Sequence, residues 1–66
     1  MNKNDLVNAL RLLAYECDKK YFFVRDTQSV GAAADSAKRT RMDILADLGC
    51  VLSNAADKLQ QLSNDK

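Results

Sequence analysis

A chain of 66 residues with formal net charge +1 and no proline, tryptophan or histidine has room for one small domain with a thin core. A chain near this length hides only about 60% of the surface it exposes when unfolded. The lack of histidine removes the commonest general base and metal ligand. Two cysteines are too few for a disulfide scaffold or a four-thiolate zinc site, and the near-neutral balance argues against both an acidic nucleic-acid mimic and a strongly basic coating protein.

Hydrophobic residues make up 47% of the chain and charged residues 29%, a globular composition. No apolar run approaches the length of a membrane span, and Met1-Asn2-Lys3-Asn4-Asp5 lacks the layout of a signal peptide. The expectation is one cytoplasmic helical domain over residues 1–66, with no membrane contact.

The first predicted helix runs from about Asp5 to Arg25, with Asn4 as the expected N-cap because its side-chain oxygen can accept from a free amide of the first turn. Leu6, Leu10, Leu13, Cys17 and Val24 recur at steps of three and four and their multiples, and Val7, Ala14 and Tyr21 widen the stripe. Tyr21-Phe22-Phe23-Val24 has strand propensity but continues the helical stripe, so it reads as helix. Residues 26–31 hold Gly31 and the capping candidates Thr27 and Ser29 and read as a turn.

The second predicted helix runs from about Ala32 to Ser63. Leu45, Leu48, Leu52, Ala55, Leu59 and Leu62 alternate steps of three and four, a coiled-coil-like seam. Ile44 and Val51 flank it on one side, and Met42, Gly49 and Ala56 on the other. A break near Asp35-Ser36 would give three helices instead of two. The fold class is therefore all-α, an antiparallel helical hairpin expected to dimerise into a four-helix bundle. With the turn near Gln28-Ser29, Leu13 comes level with Ile44 and Leu6 with Val51. The helices are about 32 Å and 48 Å long, so Leu59 and Leu62 overshoot the first helix. Leu45, Leu48, Leu52, Leu59 and Leu62 are the expected oligomer interface, because each uncovered leucine forfeits roughly 1.5–3 kcal/mol.

Chemistry is sparse. Cys17 falls on the core stripe and Cys50 on the polar face, about 15 Å apart in that register, too far for a disulfide. Neither thiol has the imidazole or helix N-terminus that would activate it. Asp43 and Asp47 share a face but are too few for a firm cation site. They read with Asp35 and Arg39 as a solvated charge ladder, and Glu16-Lys20 as a second one. Leu45 to Val51 resembles the bend of a helix-turn-helix only loosely, since the leucine pattern runs straight through Gly49. Gly49 reads as a close-contact position in a continuous helix. No catalytic residue, cofactor or metal site is expected.

Two surfaces remain. Arg11, Tyr15, Lys19 and Phe22 share a side of the first helix and have the composition of a binding hot spot for another protein. Lys38, Arg39 and Arg41 form the only basic cluster and could touch nucleic-acid phosphates, although Asp35, Asp43 and Asp47 offset its field. Lys38 and Arg41 both fall on the seam, where a carboxylate across the bundle or the edge of Tyr21 would be the partner of Arg41. The size and hairpin plan resemble plasmid and phage helical regulators in shape, with no shared motif. The functional expectation is a non-enzymatic regulatory or inhibitory adaptor of bacterial or mobile-element type. It would act by occluding a surface of a larger protein, and the alternative is a dimeric nucleic-acid-binding regulator using the basic turn.

Overall fold

The computed structural model describes residues 1–64. Among them are two helices, α1 (Lys3–Asp26) and α2 (Ala32–Asn64), packed against each other as a hairpin 55 Å long and about 15 Å in cross-section. α1 begins two residues earlier than predicted. Asn2, not Asn4, is the N-cap, and its side-chain oxygen accepts from the Asp5 amide at 2.8 Å. Both asparagines can cap, and starting at Asn2 adds half a turn of helix without displacing any apolar residue. Tyr21–Val24 is helical, as the stripe required. α1 ends at Thr27, where the backbone turns extended. The Phe23 carbonyl accepts from both the Thr27 amide and the Thr27 hydroxyl (2.7 Å), which satisfies an otherwise orphaned acceptor.

The chain re-enters helix at Gly31, whose φ of +92° lies where side chains are strained. Its carbonyl accepts the Asp35 amide, and Asp35 places a negative charge in the first turn of α2. α2 then runs unbroken through Asp35-Ser36, so the molecule has two helices among its described residues and not three. Nothing lies within 4 Å of a Cβ added at Gly31, so Gly31→Ala strains only the backbone. The expected cost is about 1 kcal/mol, read as a lower denaturation midpoint. Asn, which tolerates positive φ better, should fall between Gly and Ala.

The register differs from the expected one. Gly49 packs against Ala14 and Cys17 of α1, Arg11 reaches Asp57 and Gln60, and the Lys38 ammonium reaches the Thr27 carbonyl. α2 is thus displaced by roughly two helical turns from the pairing that set Leu13 beside Ile44. The cause is the connection. The extended backbone at Thr27 carries the chain onward past the end of α1 before α2 begins. The first turns of α2 project beyond α1 at the turn end, and Leu59 lies alongside α1 and is half-buried instead of overshooting. The two cysteines are correspondingly close to level, with Cys17 half-buried in the seam and Cys50 exposed beside it on α2.

The seam itself is built from Val7, Leu10, Ala14, Cys17, Tyr21 and Val24 of α1 and from Lys38, Met42, Leu45, Gly49, Leu52, Ala56 and Leu59 of α2, all at alternating steps of three and four and all at least half-buried. Its small members allow the helices to approach: Val7, Ala14 and Ala56 are the buried hydrophobic residues, and no large side chain is fully enclosed.

Candidate functional site

The hairpin has two broad sides, and the cross-helix contacts identify them. Arg11 donates to Asp57 at 2.9 Å and to Gln60 at 2.6 Å, so α1 positions clockwise of its seam (Arg11, Asp18) share a side with Asp57 and Gln60. The positions on the other flank of each seam must share the opposite side: Leu6, Leu13 and Phe23 from α1, and Arg41, Ile44, Leu48, Val51 and Leu62 from α2. The molecule is therefore two-faced. One side is charged and bridged; the other carries most of the exposed large aliphatic groups, interrupted by Arg41 and by Lys20 and Lys58, which lie one heptad beyond Leu13 and Val51.

On the charged side, the predicted patch of Arg11, Tyr15, Lys19 and Phe22 does lie along one flank of α1. Arg11 is committed to α2 through Asp57 and Gln60, a half-exposed bridge worth at most about 1 kcal/mol, so it straps the hairpin together. Tyr15 and Phe22 are more than half and half exposed, respectively. Each ring has a cation: Lys19 sits 5.5 Å from the Tyr15 centroid and Arg25 sits 4.8 Å from that of Phe22. Tyr21 meets Phe22 edge to face at 5.4 Å. Arg25 and Tyr21 belong to this patch; from sequence Tyr21 reads only as part of the core stripe, and Arg25 only as the end of the helix. Arg25 lies three residues after Phe22, a spacing that brings side chains together on a helix. Glu16 pairs with Lys19 at 4.0 Å, not with Lys20.

The basic cluster does not form one surface. Successive helical residues point about 100° apart. Lys38 turns into the seam and donates to the Thr27 carbonyl at 2.8 Å, Arg39 points toward the charged side, and Arg41 toward the aliphatic side. Of the two basic residues expected on the seam, Lys38 is there and Arg41 is exposed instead. The Asp35–Arg39–Asp43 ladder is not formed; Asp35 accepts from the Ser29 hydroxyl at 2.8 Å instead.

The five leucines expected at an oligomer interface separate. Leu45, Leu52 and Leu59 turn toward α1 and are half-buried, whereas Leu48 and Leu62 face solvent. At the turn end of the aliphatic side lies an open cleft of about 350 Å3. Its walls are Phe23, Val24, Val30, Ala34 and Ala37, with Lys38 and Arg41 at the rim. No group of three or more histidine, cysteine, aspartate or glutamate side chains suited to a metal ion occurs among the described residues, and none of their helices is long and apolar enough to cross a membrane. Comparison with protein-family models, with curated proteins and with solved structures gives no match for this chain.

Proposed function

We propose that this protein is a small non-enzymatic binding module in the cytoplasm, a regulatory or inhibitory adaptor of the kind bacteria and their mobile elements encode. It acts by laying α1 against a larger protein and occluding part of that protein's surface. The observation that carries the reading is the pair of exposed rings, Tyr15 and Phe22, each with its own cation. Rings paired with Lys or Arg present a flat apolar surface edged with positive charge, the composition of binding hot spots. They lie on one continuous helix, so little order has to be gained on binding.

The test is capture of partners from a bacterial lysate by the tagged chain and by Tyr15→Ala/Phe22→Ala, with folding of both checked by circular dichroism. The expected result is a larger protein retained by the wild type and lost, by about tenfold or more, from an equally helical double variant. Retention should change little between about 0.1 M and 0.5 M salt. A nuclease-sensitive species that dissociates steeply with salt would instead favour a nucleic-acid role for Lys38, Arg39 and Arg41. Equal capture by both chains would remove the aromatic patch from the function.

A further inference from the structure

We propose that the aliphatic side of the hairpin is the contact between two copies of this chain. The copies would be related by a two-fold axis in the contact plane and perpendicular to the helices, so that the two turns lie at opposite ends of an antiparallel four-helix bundle. The contact is made by Leu6, Leu13, Ile44, Leu48, Val51 and Leu62, all substantially exposed in the single chain.

The need for a cover follows from burial. Within one copy the largest buried hydrophobic residue is Val7, and the one completely enclosed side chain among those buried is that of Ala56. A chain whose own interior is this thin requires cover whenever it folds, and the cover present wherever it is made is another copy. The area agrees. A face 55 Å by 15 Å is roughly 800 Å2, so two copies would remove about 1,600 Å2 from water, the size of a standard specific interface.

The axis follows from shape. The aliphatic side has projections at one end, Leu6 and Leu62, and a hollow at the other, the cleft between Phe23, Ala34 and Ala37. A two-fold axis near Gly49 brings Leu62 of one copy level with Ala37 of the other, and Leu6 level with Phe23, so each end fills its counterpart. The other face-to-face arrangement, with both turns at one end, would leave both hollows facing each other. This contact is on the opposite side from Tyr15 and Phe22, so it stands whether or not the partner-binding reading does.

The test uses the full chain. Light scattering and sedimentation at about 10 µM should give a dimer, and the melting midpoint should rise with protein concentration, as mass action requires. Leu48→Glu should weaken the dimer by about 100-fold or more, whereas Leu12→Glu, on the back of α1, should leave it intact. For the axis, Ala37→Cys/Leu62→Cys in a Cys17→Ser/Cys50→Ser background should form covalent dimers on mild oxidation. Within one copy those positions lie at opposite ends of the rod and cannot meet. A monomer with a concentration-independent cooperative melt would overturn the proposal. So would a chain that stays monomeric and poorly folded until a different protein is added, and so would a dimer broken by Leu12→Glu but not by Leu48→Glu. A dimer without the 37–62 crosslink would overturn the axis.

Discussion

Ala56→Asp should abolish the cooperative helical fold, while Ala46→Asp should melt nearly as the wild type does. Ala56 has no exposed surface and comes level with Val7 and Leu10 in the seam. A carboxylate there would have no partner and no water, at a cost of several kcal/mol. The whole stability expected of a chain this size is only about 3–10 kcal/mol. Ala46 is exposed on the charged side, so its replacement costs only the lower helix propensity of aspartate, up to about 0.7 kcal/mol. Thermal unfolding followed by far-UV circular dichroism separates the two. An Ala56→Asp chain melting alongside Ala46→Asp would show that the seam is not where the register places it.

Gly49 gives a sharper result, because two substitutions there should move stability in opposite directions. A Cβ at Gly49 would lie 3.6 Å from the Cys17 Cβ and 3.8 Å from the Ala14 carbonyl oxygen, ordinary contacts, and 3.3 Å from a carboxylate oxygen of Asp18. Asp18 is exposed, so its carboxylate can swing a few tenths of an ångström away. Gly49→Ala should therefore gain most of the helix-propensity difference, about 0.8–1.0 kcal/mol, and raise the melting midpoint by several degrees. Gly49→Leu carries three further carbons into the gap between two backbones. Overpacking of this kind costs about 1–3 kcal/mol, and the midpoint should fall. If both variants shift the midpoint the same way, the close approach of α1 and α2 at this level is wrong.

The two helices and their bounds were legible because apolar residues at steps of three and four leave no strand alternative, and because Thr27 to Gly31 interrupts that pattern with turn chemistry. The rotation of the helices was less legible. Leu6, Leu13, Leu48 and Leu62 fit the apolar pattern yet sit on the flanks, whereas the helices approach through the small residues Ala14, Gly49 and Ala56. Two helices pack closely where side chains are short, and a three-four pattern of leucines does not say which of them turn into the seam, as Leu45, Leu52 and Leu59 do, and which stay on the flank. The register was missed for a different reason. Five connecting residues can reverse the chain at once or carry it outward first, and sequence composition does not distinguish the two. At the candidate surfaces, the aromatic patch was readable because Tyr15, Lys19 and Phe22 recur at helical spacing. The basic cluster misled because residues adjacent in sequence radiate from a helix: Lys38, Arg39 and Arg41 point three ways.

The outward connection at Thr27 also fixes where the ends of the molecule go. Because α2 is long enough to return the full length of α1 from its offset start, Lys3 and Leu62 finish at the same pole, with the cleft at the other. Polypeptide joined to either end of the hairpin would leave from that shared pole, so cargo or tags placed at the head or the tail are delivered to one location. In the antiparallel pair inferred above, the two poles point away from each other, and anything so attached would be displayed at both tips of the rod.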